Sequence, residues 1–260
     1  MMHLTQSNPE IPELISVITV CRNAVNTIEH TLDSVAFQDY PCIEHCIIDA
    51  ASTDGTVEIL KRYGDRIRWI SEPDKGLYDA MNKGVAMSTG SIIGFLNADD
   101  EYAHNQVVSN IAHALHDQAV DACFADIEFR DEQGCLLRRY DSSRFHSGRL
   151  AWGWMPAHPS LYVRREIFDR FGGFKIDYKI AADFEFIARV FSDLSCRYHY
   201  VSDVWVHMRP GGLSTRGLLS SWILNQEIVR ACRENNISTN MFKVLFKFPM
   251  KCLELLRHRV

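Results

Sequence analysis

Ile15 to Cys21 (ISVITVC) is a short, mainly apolar and β-branched run, the pattern of a strand buried in a parallel sheet. Ala24 to Phe37 then reads as a helix with Ile28, Leu32, Val35 and Ala36 on one face, and Asn23 is placed to cap it. Glu44 to Ile48 is a second strand. The polar loop Asp49-Ala-Ala-Ser-Thr-Asp-Gly-Thr56 opens a second helix, Val57 to Tyr63. A third strand at Ile67 to Ile70, a third helix at Gly76 to Met87 and a fourth strand at Ser91 to Leu96 continue the alternation. Strictly alternating strands and helices predict a Rossmann-like, mostly parallel α/β sheet flanked by helices.

Beyond residue 100 the pattern becomes mixed. Ala119 to Phe129 and Cys135 to Tyr140 read as strands around the turn Asp131-Glu-Gln-Gly134, and Ser142 to Met155 is irregular, with Trp152 and Trp154. A strand is predicted at His158 to Val163, and a short helix at Arg164 to Phe171, stopped by Gly172-Gly173. Further helices follow at Ala181 to Phe191 and Leu218 to Arg233, and Asn240 to Arg259 is a separate amphipathic piece. The expected organisation is an N-terminal extension (1–14), a nucleotide-binding half (15–100), an acceptor-side half of the same domain (101–212) and a C-terminal helical segment (213–260).

The net charge of −5 lacks the basic excess of a nucleic-acid binder. Eight cysteines occur without a CxxC pair, and several lie in apolar runs. They read as small buried hydrophobes of a reducing compartment rather than disulfides or zinc ligands. Residues 1–10 are polar, and no apolar run reaches the roughly 20 residues that span a bilayer. The expected location is the cytoplasm, with contact at the inner face of the membrane through residues 240–259. In that tail Lys243, Lys247, Lys251, Arg257 and Arg259 face one acid, Glu254, among phenylalanines and leucines, and Pro249 divides it. This suits an interfacial helix on anionic lipid, or equally a helix packed on the domain with its lysines in water.

In open parallel sheets ligands bind beyond the carboxyl ends of the strands. The residues there are Cys21-Arg22-Asn23, Asp49 to Ser52, Glu72 to Lys75 and Asn97 to Asp100. No GxGxxG follows the first strand, which argues against a dinucleotide-dependent hydride transferase. Asp99 and Asp100 are hard oxygen donors suited to Mg²⁺ or Mn²⁺ beside a diphosphate, or else a solvated turn before a helix. Their position after the fourth strand favours the ligand site. Asp183 opens a helix, where a carboxylate is stabilised, as an N-cap or as a general base. His207 precedes a glycine-rich loop, Met-Arg-Pro-Gly-Gly-Leu-Ser214, that could fold over a diphosphate with His207 as an extra metal ligand.

The segments ISVITVCRNAVNTIEHTLDSV, IIDAASTDGT and SEPDKGLYDAMNKGVAMSTGSIIGFLNADD together resemble the GT-A fold of family 2 glycosyltransferases, over roughly Ile15 to Gly212. The flavour is that of bacterial polysaccharide-assembly enzymes. The resemblance implies an inverting hexosyltransferase-like enzyme that moves a sugar from a UDP- or GDP-linked donor to a saccharide or lipid-linked saccharide, with Mg²⁺ or Mn²⁺. It implies that Thr19, Val20, Cys21 and Arg22 line the base and ribose, that Asp49 faces the base, and that Asp74 and Lys75 border the nucleotide. Asn82 and Lys83 lie on the helix that follows. Asn97 and Asp99 belong to the donor site, Asp99 and Asp100 to the metal, Asp183 is the base, and His158 lies near the donor or acceptor sugar. Three positions depart from the family pattern: Ala50 replaces a second Asp, Met81 an Arg and Ala182 a Glu. A sugar nucleotidyltransferase would carry a glycine- and basic-rich loop after the first strand, and Cys21-Arg22-Asn23-Ala24 has no glycine. A non-catalytic sugar-nucleotide-binding scaffold is the remaining reading. The joint presence of Asp99, Asp100 and Asp183 argues against it.

Overall fold

The computed structural model describes residues 12–211 and 217–246. Most of the predicted N-terminal extension, the end of the glycine-rich loop with the two residues after it (212–216) and the tail beyond Phe246 lie outside the described residues. One sheet organises the rest, in the order β3-β2-β1-β4-β8-β6-β9-β5, with β7 on β6.

The first half follows the sequence pattern closely. β1 (Ile15–Cys21) is buried at every position, and pairs in parallel with β2 (Ile43–Asp49) and β4 (Ile92–Phe95); β2 pairs in parallel with β3 (Arg68–Ser71). The helices α1 (Ile28–Ala36), α2 (Thr56–Tyr63) and α3 (Leu77–Met87) make the crossovers. α3 lies close on β1 because Gly84 has no side chain; a Cβ there would meet Ile18 Cγ2 at 2.3 Å.

α1 starts later than predicted, and Asn23 is not its cap. Asn23 adopts φ 52°, its amide donates to Ser52 Oγ (2.7 Å) and its Oδ1 accepts from Thr53 N (2.9 Å). Ala24 N and Val25 N donate to Thr56 Oγ1 and Asp54 Oδ2. The β1–α1 turn is therefore stitched to the β2–α2 loop, which holds residues 23–27 out of the helix.

The second half adds antiparallel pairs to the parallel first half, as its mixed pattern predicts. β8 (Tyr162–Arg164) runs antiparallel to β4 and to β6 (Ala122–Arg130), so both predicted halves share one sheet. His158 to Ser160 is a 3₁₀ turn instead of strand: Pro159 has no N–H to give a ladder, and Ser160 Oγ bonds Ala125 O and Ala157 O. β7 (Leu136–Tyr140) completes a hairpin with β6. β9 (Tyr198–Met208), the longest strand, was not predicted; it pairs in parallel with β6 and antiparallel with the two-residue β5 (Glu101–Tyr102). α4 (Val107–Ala114), α5 (Arg165–Phe171), α6 (Ala182–Phe191), α7 (Leu218–Glu234) and the short α8 (Met241–Leu245) cover the sheet and its end. Of the described cysteines, Cys21, Cys46, Cys123, Cys196 and Cys232 are buried and all are free thiols, as the apolar runs around them imply. No helix among the described residues is long and apolar enough to cross a membrane.

Candidate active site

Asp49 closes β2 and is wholly buried. Its carboxylate accepts from Ser52 N (2.9 Å), Ser52 Oγ, Ser71 Oγ (2.6 Å) and Cys21 Sγ (3.5 Å), which ties the ends of β1, β2 and β3 together. Burial and the charge of Asp49 push the Cys21 thiol far up, so Cys21 stays a neutral donor. Arg22 is exposed beside this knot, whereas Val20 is buried in the core. Asp74 accepts the amide of Gly76 (2.8 Å), and the amide of Lys75 donates to Asp79 (3.0 Å); the side chain of Lys75 is exposed.

The turn after β4 separates the two aspartates. Asp99 is exposed and Asp100 is 1% exposed. Thr31 of α1 braces the turn by donating to the Asp100 carbonyl (2.7 Å), and Asn97 Nδ2 donates to Asp100 Oδ2 (3.0 Å). Among the described residues Asp100 Oδ1 has no hydrogen-bond partner. Burial, then the neighbouring charge of Asp99, holds the Asp100 carboxyl well above the usual carboxylate range, while Asn97 and the amide and charge of Arg209 pull the other way. A cavity of about 220 Å³ opens here, lined by Asp99, Asp100, His207 and Arg209 and by the tip of the β6–β7 hairpin, including Arg130. β9 lies between β5 and β6, so His207 faces Glu101 (Nδ1–Oε1 3.8 Å) on one side and Glu128 (Nε2–Oε2 3.7 Å) on the other. Burial and Arg130 lower its pKa, which leaves a neutral imidazole able to ligate.

Asp183 is the second residue of α6 and is partly buried. Its Oδ1 accepts from Phe184 N (2.8 Å) and lies 3.4 Å from the Tyr78 hydroxyl. Burial raises its pKa from the ordinary value expected of an aspartate; His158, Phe184 N and Tyr78 oppose that shift. His158 is held neutral by burial, against the pull of the Asp183 charge. Its ring stacks on Phe95 (5.7 Å), the last residue of β4, and meets Phe174 edge-on (6.0 Å). Phe95 thus joins the Asp183–His158 pair to the strand that carries Asn97, Asp99 and Asp100.

Comparison with known proteins decides the family. The profile of Glycosyl transferase family 2 matches residues 16–174, well over half of the chain. The chain belongs to glycosyl transferase family 2. It is 27% identical over 222 residues to a PGL/p-HBAD biosynthesis glycosyltransferase of Mycobacterium bovis, covering 84% of this chain and 83% of that protein. Its fold is shared with a mannosyltransferase from Pyrobaculum calidifontis solved with GDP-Man and Mn²⁺ (TM-score 0.67, 23% identity, 92% of this chain and 70% of that one). It is shared also with S. aureus TarS 1-349 in complex with UDP-GlcNAc (TM-score 0.65, 18% identity, 84% and 66%), and this glycosyltransferase matches 39% of the longer TarS chain.

At three of the expected donor-site positions of this glycosyltransferase the side chains make internal contacts. Thr19 is wholly buried and its hydroxyl bonds His45 Nε2 (2.9 Å), a ring that burial holds neutral, its pKa pushed down to about 3. Both ends of the Asn82 amide are committed to the backbone of Phe174, each at 2.8 Å. Lys83 pairs with Glu72 (2.7 Å) and the Pro73 carbonyl (2.9 Å), which pins the β3–α3 loop. Other residues entered unannounced: Thr31, Tyr78, Glu128 and Arg209 build the site from distant elements. Only Arg209 carried a signal, a cation two residues after His207.

Proposed function

We propose that this glycosyltransferase is an inverting enzyme that transfers a sugar from a UDP- or GDP-linked donor to an acceptor hydroxyl in glycoconjugate or polysaccharide synthesis. The observation that carries the reading is the joining, through Phe95 and His158, of a half-buried carboxylate at a helix start to an aspartate turn with a buried oxygen unpartnered among the described residues. Asp183 takes the proton of the acceptor hydroxyl as that oxygen bonds the anomeric carbon. The bond from that carbon to the diphosphate oxygen breaks, and its electron pair leaves with the nucleoside diphosphate. One displacement inverts the anomeric configuration. A raised pKa makes Asp183 a stronger base than a solvated aspartate, and neutral His158 beside it adds no competing charge.

The residues around Asp100 fit Mg²⁺ or Mn²⁺. Asp100 offers a hard oxygen unpartnered among the described residues, Asp99 a second carboxylate and His207 a neutral nitrogen. Among the described residues no three His, Cys, Asp or Glu side chains form a ready-made cage, as suits a cation that shares its shell with donor phosphates. Bound there, the ion would neutralise charge on the departing diphosphate. The family profile ends before α6, so the role of Asp183 rests on geometry. A panel of nucleotide sugars should yield one donor that raises Tm only with Mn²⁺ and is then hydrolysed slowly. Stabilisation without any hydrolysis or transfer would leave a sugar-nucleotide-binding scaffold instead.

We further propose that the acceptor side touches anionic lipid through α8. Val244 is buried in the domain, while Phe242 is 83% exposed and Phe246 packs on Trp152 (5.9 Å), over which Lys243 sits. Lys247, Lys251, Arg257 and Arg259 follow in sequence, on a chain whose net charge is −5. Such a basic, aromatic segment complements an anionic surface at about 1 kcal/mol per cation. Co-sedimentation with vesicles rich in anionic lipid should therefore fall several-fold in a Phe242→Ser/Phe246→Ser double variant and vanish with neutral vesicles. Equal partitioning of variant and parent would end the proposal.

A further inference from the structure

We infer that Glu227 is a positioning residue for the base, an inference that rests on the assignment of that role to Asp183. Glu227 lies in the middle of α7, far from Asp183 in sequence. Its carboxylate accepts the amides of three consecutive residues: Lys179 at Oε1 (2.7 Å), and Ile180 and Ala181 at Oε2 (2.9 Å each). These are the residues that lead into α6, and Ala181, its N-cap, has no side chain able to cap a helix. The same peptide is held from the opposite direction, where the Tyr78 hydroxyl donates to the Ile180 carbonyl (2.5 Å). Tyr78 is also the hydroxyl next to Asp183. Ile180 is thus gripped by its N–H from α7 and by its C=O from α3, three residues before the carboxylate that must meet the acceptor.

Glu227 is one of three charged residues on a single face of α7, with Arg230 and Glu234 at i+3 and i+7. Arg230 pairs with Asp177 and covers the Tyr178 ring, while Glu234 bonds Lys175 (2.8 Å) and the Tyr178 hydroxyl (2.9 Å). The whole segment 175–181 is laid along this stripe, and Glu227 holds the end that turns into the active site. A carboxylate accepting three N–H groups fixes a backbone more firmly than one neutral acceptor can. Displacement of a reacting group by about 1 Å can cost on the order of 10²-fold in rate.

The experiment compares Glu227→Gln, Glu234→Gln and Asp183→Asn in the full chain. Glu227→Gln keeps the shape but puts an amide N–H where an acceptor is needed. We expect its kcat to fall about 10–100-fold with donor KM unchanged within twofold. Its kcat–pH limb should move toward lower pH, because a loosened, better hydrated Asp183 loses part of the burial that raises its pKa. Glu234→Gln should lower Tm while keeping kcat within twofold. Equal losses of kcat in both glutamine variants, or an unmoved pH limb in Glu227→Gln, would overturn the inference. Near-normal turnover in Asp183→Asn would defeat the base assignment instead; loss in Asp183→Asn with full turnover in Glu227→Gln would defeat this inference alone.

Discussion

Asp183→Asn is expected to lower kcat by about 10²–10⁴-fold, the range for loss of a general base. The amide is isosteric, so Phe184 N and Tyr78 still have an oxygen to donate to, and the fold and the donor site survive. Donor affinity, measured calorimetrically with Mn²⁺, should change less than twofold. The pH profile supplies a second reading. Burial holds the Asp183 pKa above that of a solvated aspartate, so the parent kcat should rise with pH through that elevated value as the carboxylate ionises. The limb should disappear in the variant. A parallel loss of donor affinity and turnover would instead make Asp183 a binding or structural residue.

Asp100→Asn separates function from stability in one substitution. Transfer and Mn²⁺-dependent nucleotide binding should be lost, because a neutral amide cannot replace a charged oxygen donor. The metal-free protein should nevertheless become more stable. Asp100 is buried with one oxygen unpartnered among the described residues, and its raised pKa means that the folded state disfavours the charged form. A group with a raised folded pKa stabilises the acid side and costs stability as pH rises above the ordinary carboxylate value near 4. Removing that charge should raise the metal-free Tm by about 2–4 °C, the effect of about 1 kcal/mol in a chain of this size. The gain should shrink in acid. Added Mn²⁺ and nucleotide should then stabilise the parent and leave the variant unmoved. EDTA-sensitive transfer surviving in Asp100→Asn would refute the metal assignment.

The first hundred residues were legible because their signals are local. β1, β2 and β4 are short runs dominated by buried β-branched and apolar residues, and a parallel βαβ alternation has few ways to fold. That alternation placed Asp49, Asp74 and Asp99-Asp100 at one edge of the sheet before any contact was known. Asp183 was equally legible as a carboxylate at the start of an amphipathic helix. What the pattern could not carry is pairing across long separations. β9 is a strand because β5 and β6 flank it, and only that register brings His207 and Arg209 beside Asp100. Asn23 loses its capping role to a loop that follows a different strand. Thr19, Asn82 and Lys83 lie at positions where the family pattern suggests ligand contacts, yet His45, Phe174 and Glu72 engage them. Sequence spacing sets which side chains lie on one face of an element; which of them reach a ligand depends on the element packed against that face. For Asp183 those elements are α3, which brings Tyr78, and α7, which brings Glu227 to the loop before it.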